Sequence, residues 1–341
     1  MPHYKLALLG FGNVGRALAG LLLRKRQELK ERYDITYTVT GIATARHGTV
    51  ASPGGIDLTG ALELIRSGRT LNLMTKTLTS GPVDFIRKCG ADVLFENTPV
   101  NIDTGQPGVE HLRTALECGM HAITANKGPV VHAYRELTEL AESQGRKFYF
   151  ESTVMDGAPI FSLFRGAIPA AQLKSFKGVL NSTTNIILTR MEAGEAFETA
   201  VRYCQEIGIA ETNPSADVDG WDAAIKVAAL VTVLMGMPLK PQQVERTGIR
   251  GISPEMIRSA KAGGKRYKLV CSAERNGETL QARVAPELVP VGSPMYSVEG
   301  STSIVTFKTD VLGDLSIVET DPGPQTTAYG LLADFINAVR G

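Results

Sequence analysis

The 341-residue sequence has few cysteines, few histidines and almost no net charge. Each shortage excludes something. Cys89, Cys118, Cys204 and Cys271 are scattered, with no C-x-x-C pair, so neither a disulfide frame nor a cysteine zinc site is expected. They read as reduced thiols of a cytoplasmic protein. His3, His47, His111, His121 and His132 never fall at metal-ligand spacing on one helix face. None lies beyond His132, so acid–base chemistry in the second half must come from lysine or carboxylates. A formal net charge of +1 leaves no electrostatic footprint for nucleic acid. The segment RKRQELKER (24–32) carries both signs and reads as a solvated helix end. No apolar run reaches the ~18 residues that a membrane span needs. Strand-like sequence begins at Tyr4, so no signal peptide is expected. Repeats and low-complexity tracts are absent too. What is there, 43% hydrophobic and 21% charged, suits a globular protein of two or more domains with sizeable cores.

The first half alternates strands and helices. YKLALLGFGNVGRALAGLLL (4–23) reads as strand, glycine turn and apolar helix. Gly10, Gly12 and Gly15 fit G-x-G-x-x-G: a tight turn, a close approach for pyrophosphate, and close helix–strand packing. The helix start offers N–H groups to phosphate. Further strands are expected at 35–44, 91–99, 121–128 and 146–152, and helices at 107–119 and 131–145. This is the pattern of an α/β, Rossmann-type doubly wound parallel sheet. Ligands bind beyond the carboxyl ends of such strands, where Gly12, Thr98, Asn126, Lys127 and Glu151 fall. After the second strand, GIATARHG offers no acid for a ribose 2′-OH but does offer Arg46 for a 2′-phosphate. NADP is therefore the preferred cofactor, with NAD the alternative if Arg46 is merely solvated.

The second half holds the chemistry. Asn181, Ser182, Thr183 and Thr184 stand where a strand gives way to a helix; they read equally as caps and as ligand contacts. Between Ala223 and Met237 the only charge is Lys226. Asp219, Asp222 and Lys226 follow at i, i+3 and i+7, one stripe of a helix. A surface Asp–Lys pair of this kind is worth about 0.3–0.5 kcal/mol. The apolar neighbours argue instead for a buried helix, where an ammonium costs several kcal/mol unless paired. A buried lysine among carboxylates near a dinucleotide site is a functional candidate. It could steady charge on a carbonyl oxygen during hydride transfer and supply the proton. Glu211, Asp217, Asp219 and Asp222 would suit a substrate bearing its own ammonium.

With GFGNVG (10–15), NTPVNIDTGQPG (97–108), TANKGP (124–129), VLNSTTNIILT (179–189), IAETNPSADVDGWDAAIK (209–226) and DPGPQTTAYGLLADF (321–335), the sequence resembles homoserine dehydrogenases over nearly its whole length. The resemblance implies NAD(P)-dependent reduction of L-aspartate 4-semialdehyde to L-homoserine, on the route to threonine and methionine. By position, Lys226 would be the proton donor and Lys127 the lysine between nicotinamide and substrate. Glu211 and Asp222 would bind the amino group and hold the geometry, with Asp217 and Thr183 in the substrate pocket. Phe11, Gly12, Asn13 and Val14 would line the pyrophosphate, Thr98 would lie by the nicotinamide, and Gly323 would close over the cofactor.

The same resemblance implies a dinucleotide-binding domain over 1–150, completed by 321–341 through a last helix at 326–340. An α+β substrate-binding and dimerisation domain over 151–320 would pair two copies of the chain through its sheet. A monovalent cation such as sodium would rest on main-chain oxygens of Glu151, Val154, Asp156 and Ala158. Here the sequence departs from the family, with VMDGAP for a glycine-rich stretch and NSTTN for NGTTN. It also stops at Gly341, where longer members carry a regulatory ACT domain, so a short form without threonine inhibition by that route is expected. Two rival readings remain: a dehydrogenase of another amino-acid-derived carbonyl, and a non-catalytic NADP-binding sensor.

Overall fold

The computed structural model describes residues 1–74 and 79–340. Contacts divide the chain into one unit of Met1–Pro159 with Gly323–Gly341 and another of Ile160–Pro322.

The first unit contains β1 (His3–Leu9), α1 (Asn13–Tyr33), β2 (Thr36–Thr44), β3 (Gly48–Ala51), α2 (Leu58–Arg66), α3 (Pro82–Lys88), β4 (Val93–Glu96), α4 (Gly108–Glu117), β5 (His121–Thr124), α5 (Lys127–Ser143) and β6 (Phe148–Tyr149). The sheet order is β3-β2-β1-β4-β5-β6, parallel except for the antiparallel edge strand β3. Buried residues of β1 point alternately to two cores, as the period of a strand requires. Leu6 and Leu8 join Leu18 and Leu22 of α1 on one face. Ala7 and Leu9 join Phe85, Ile86 and Ala115 of α3 and α4 on the other. Helices on both faces explain why these strands read as unbroken apolar runs.

The C-terminal helix, which becomes α11 once the second unit is counted, spans Pro324–Arg340. It lays Leu331 and Phe335 on the α1 face, and Phe335 meets Tyr4 and Phe95 edge-on. Truncating this fully buried ring to alanine would cost about 3–5 kcal/mol. The first unit runs to Pro159, past the break at residue 150 that the sequence suggested. The reason is hydrogen bonding to the C-terminal helix. Glu151 N donates to Asp334 Oδ2 at 2.7 Å, and Ser152 Oγ donates to the Thr327 carbonyl at 2.8 Å. That pull also shortens the strand expected at 146–152, leaving Phe148–Tyr149 followed by a 3₁₀ turn, Glu151–Thr153. The helix expected from residue 131 begins earlier, at Lys127, because the Asn126 side chain caps it.

The second unit contains β7 (Leu173–Val179), α6 (Ser182–Glu192), α7 (Phe197–Glu206), α8 (Ser215–Val218), α9 (Trp221–Leu234), β8 (Glu245–Arg246), α10 (Pro254–Ala262), β9 (Lys265–Asn276), β10 (Thr279–Pro290), β11 (Ser303–Thr309) and β12 (Asp314–Glu319). Its sheet runs β12-β11-β7-β9-β10-β8 and is antiparallel except for β8 against β10. Helices α6, α9 and α10 pack against β9, giving an α+β unit. Polar side chains such as Lys177, Glu274, Gln281, Arg283 and Thr306 line an open concavity of about 910 Å³ along the sheet.

Candidate active site

In the first unit, the turn between β1 and α1 opens onto a cavity of about 790 Å³. Its walls include Gly10, Phe11, Gly12, Asn13, Arg16, Arg46, Thr98 and His111. The three glycines do different work. Gly10 sits at φ +94°, and a Cβ there would stand 2.4 Å from the Asn97 carbonyl oxygen. A Cβ on Gly15 would stand 2.2 Å from the Gly10 carbonyl oxygen, so both are packing glycines. A Cβ on Gly12 would meet no protein atom within 4 Å. Gly12 therefore clears space that the protein itself does not fill, which is what a pyrophosphate needs. No side chain caps α1 and no acid stands in its first turn, so its N-terminal end suits an anion. The chain's residues fit a dinucleotide.

Arg46 and Thr98 line this cavity, as the sequence suggested, and Arg16 joins them from the first turn of α1, bonded to Asn13 Oδ1 at 2.7 Å. Val14 turns toward the core and Gly15 packs against the turn, so neither presents a side chain to the cavity. Lys127 is the first residue of α5 and is half-buried. Gly323 stands just before the C-terminal helix, where its N–H bonds Thr326 Oγ1 at 2.8 Å. Neither is among the cavity's lining residues.

In the second unit a polar cluster forms at the starts of α6 and α9. Asn181 is its centre. Its Oδ1 caps α6, accepting from Thr184 N at 2.8 Å. Its Nδ2 donates to Asp217 Oδ1 at 2.7 Å and to Asp222 Oδ2 at 3.0 Å. Cap and ligand contact, open alternatives in the sequence, are thus served by one side chain. Thr183, buried, hydrogen-bonds Asp217 as well. Burial pushes the Asp217 carboxyl above its ordinary range and the charge of Asp222 adds to this; Asn181, Thr183 and Lys226 oppose. Lys226 Nζ donates to the Leu180 carbonyl at 2.6 Å and lies 3.3 Å from Asp222 Oδ2. The lysine side chain is 15% exposed and the aspartate 22%, so the pair is mostly removed from water yet reachable.

Asp219 departs from the expected stripe. The chain turns at Gly220, φ +81°, before α9 begins, so Asp219 lies outside that helix and does not cap it. It pairs with Arg250 at 2.5 Å, and its carbonyl accepts from Arg246, whose guanidinium stacks on Trp221 at 3.7 Å. Its role is to fix the turn that aims Asp222. Glu211 is exposed and joins no hydrogen bond of the cluster; its main-chain carbonyl accepts from Gln205 at 3.2 Å.

At the expected cation position, Glu151, Val154 and Ala158 are buried. Asp156, at φ +33°, spends its carboxylate on the hydroxyls of Thr326 at 3.2 Å and Thr327 at 3.0 Å. Among the described residues no group of three or more His, Cys, Asp or Glu side chains could hold a metal ion. A cation here would depend on main-chain oxygens.

Three functional groups escaped the sequence reading. Arg16 was hidden inside a helix otherwise read as apolar. Glu96 and His111 form a buried pair at 3.5 Å beside the dinucleotide cavity. The available signal for Glu96 was one carboxylate ending the apolar run VLFE.

Comparison with known proteins adds the relationship. Residues 159–336 match the family model described as homoserine dehydrogenase, and residues 10–151 match that of the homoserine dehydrogenase NAD binding domain. An NAD(+)-dependent homoserine dehydrogenase of Pseudomonas canavaninivorans is 36% identical, with 99% of this chain and 96% of the relative covered. A putative homoserine dehydrogenase structure from Archaeoglobus fulgidus superposes with TM-score 0.88 at 32% identity, covering 99% of this chain and 100% of that one. A hyperthermophilic archaeal homoserine dehydrogenase in complex with NADPH gives TM-score 0.84 at 28% identity, covering 99% and 98%.

Proposed function

The chain belongs to the homoserine dehydrogenase family, and from that premise we propose which residues carry the chemistry. The enzyme is an NAD(P)-dependent oxidoreductase acting on a CH–OH group, interconverting L-aspartate 4-semialdehyde and L-homoserine in the pathway to threonine and methionine. The bound dinucleotide supplies hydride to the aldehyde carbon. Lys226 faces the aldehyde oxygen, offsets its growing negative charge, and gives it the proton that completes the alcohol. Asp222 holds the lysine in place, and Asn181 holds Asp222. Asp217 and Glu211 bind the substrate ammonium, with Thr183 beside them; Lys127 stands between nicotinamide and substrate. The observation that carries this reading is the 2.6 Å bond from Lys226 to Leu180 and its 3.3 Å pairing with Asp222 in an otherwise apolar helix.

NADP is the preferred cofactor. Arg46 and Arg16 both line the cavity, and an acid that would select NAD is missing after β2. Arg46→Ala should lower the NADPH/NADH preference about tenfold or more; an unchanged ratio refutes the role of Arg46. Two copies of the chain pair through the sheet of the second unit, whose polar concavity is large enough to receive a partner; sedimentation would detect the dimer. A monovalent cation sits on the main-chain oxygens of 151–158. The four free cysteines suit the reducing cytoplasm.

The test is turnover. Aspartate semialdehyde should exceed other amino-acid-derived semialdehydes and keto acids in kcat/KM by about a hundredfold or more, the range for a site that hydrogen-bonds its substrate. Preference for another carbonyl would overturn the substrate assignment. Cofactor binding without turnover of any substrate would make the protein a sensor, a reading that family membership over the whole chain does not favour.

A further inference from the structure

Strand β4 is apolar until its last residue, Glu96, which is fully buried. Among the described residues no lysine or arginine pairs with it. A buried carboxylate costs several kcal/mol unless hydrogen bonds replace its water. Here they do. Glu96 Oε1 accepts from the Thr98 N–H at 3.1 Å and from the Thr98 hydroxyl, and lies 3.5 Å from His111 Nδ1. Glu96 Oε2 lies 2.9 Å from the Thr124 hydroxyl. That hydroxyl accepts from Asn126 N at 2.9 Å. Asn126 Nδ2 then donates back to the Thr98 carbonyl at 3.3 Å, and Asn126 Oδ1 accepts from Gly128 N at 3.0 Å, capping α5.

These bonds close a ring: Glu96, Thr98, Asn126, Thr124 and Glu96 again. It joins the carboxyl ends of β4 and β5 beside the dinucleotide cavity, which Thr98 and His111 line. Only an acceptor-only side chain completes the ring, because hydroxyl and amide donors converge on both carboxyl oxygens. The ring's two outputs are the placement of Thr98 and the start of α5 at Lys127. Bulk packing does not require a carboxylate for either; an apolar residue would fill the same space without the cost.

We propose that Glu96 is a positioning residue for the dehydrogenase reaction. Its carboxylate fixes Thr98 directly and, through Thr124 and Asn126, fixes the first residue of α5. The inference rests on the reading of Thr98 and Lys127 as the residues beside the nicotinamide. Neither Glu96 nor Thr124 need touch substrate for the effect, since loss of alignment by about 1 Å can cost a hundredfold in rate.

The test uses the full chain with Glu96→Gln, Thr124→Val, Thr124→Ser and Lys127→Ala, reading kcat, KM and NADPH Kd for each. Glu96→Gln and Thr124→Val should lose kcat roughly tenfold to a hundredfold while NADPH Kd stays within about threefold. Thr124→Ser returns the hydroxyl and should restore kcat to within about threefold of wild type. A merely structural ring would instead lower Tm in both variants, leave kcat per folded site unchanged, and make serine no better than valine; that result overturns the proposal. Thr124→Val is close to isosteric and carries the test if Glu96→Gln does not fold. Lys127→Ala separates the layers. Lost turnover there with wild-type kcat in Glu96→Gln and Thr124→Val refutes the role of Glu96 alone. Full turnover in Lys127→Ala refutes the reading beneath it, and the role of Glu96 with it.

Discussion

Replacing Lys226 with methionine removes the ammonium while keeping a long apolar stem among Ala223, Ile225, Val227 and Leu230, all fully buried neighbours. Two structural contacts are lost: the charge-assisted bond to the Leu180 carbonyl at 2.6 Å and the pairing with Asp222 at 3.3 Å. Bonds to charged groups contribute about 1.5–3 kcal/mol each. Against that, an ammonium only 15% exposed no longer has to be held away from water. Asp222 keeps Asn181 Nδ2 at 3.0 Å. Folding stability should therefore change by no more than about 2 kcal/mol, far less than the effect on rate. Loss of a general acid costs 10²–10⁴ in kcat, which is about 2.7–5.4 kcal/mol of transition-state stabilisation. The assay is NADPH oxidation with saturating aspartate semialdehyde, alongside NADPH Kd and thermal unfolding. Arginine should not rescue, because a guanidinium keeps its proton. A folded methionine variant retaining wild-type kcat would refute the assignment of Lys226.

Gly12→Ala should fold as stably as wild type, since its Cβ meets no protein atom, yet weaken NADPH binding at least tenfold; Gly10→Ala, at φ +94° and 2.4 Å from a carbonyl oxygen, should lose stability first. Calorimetry and titration of the pair distinguish the two kinds of glycine. The carboxyl of Asp217 is raised by burial, so its contribution to stability is present at low pH and is lost as pH rises through the folded value. Asp217→Asn should therefore gain Tm relative to wild type most at neutral pH, the difference narrowing toward pH 3.8; a pH-independent difference would contradict this. Lys268 is fully buried, bonded to Asn185 Oδ1 at 2.9 Å, and burial pushes its ammonium down to about 8. The unfolded chain then binds the extra proton between about pH 8 and 10.5, so stability rises with pH across that window by at most about 3 kcal/mol. Denaturant unfolding of Lys268→Met should show that rise abolished.

How much the sequence decided differs between the two units. Alternating apolar strands and helices, and glycines spaced to let one backbone turn approach a phosphate, are local patterns. They placed β1, α1, β2, β4, α4 and β5 within a residue or two, and the cavity at Gly10, Gly12, Arg46 and Thr98 followed. The isolation of Lys226 in an apolar helix was equally legible, because one charge in a buried stretch demands a partner wherever the helix goes. Which partner it finds is a long-range fact. Leu180 and Asn181 reach Lys226 and Asp222 from another helix start, about forty residues away in sequence by the register of their bonds. Asp219 looked like part of the same stripe, and only the left-handed turn at Gly220 and the capture by Arg246 and Arg250 removed it. Glu96 ends a strand like any polar residue until β5 brings Thr124 alongside and Asn126 closes the ring. Periodicity fixes which face a side chain takes along its own element. The hydrogen-bond partner that makes a buried charge tolerable comes from a neighbour that only the folded chain brings near.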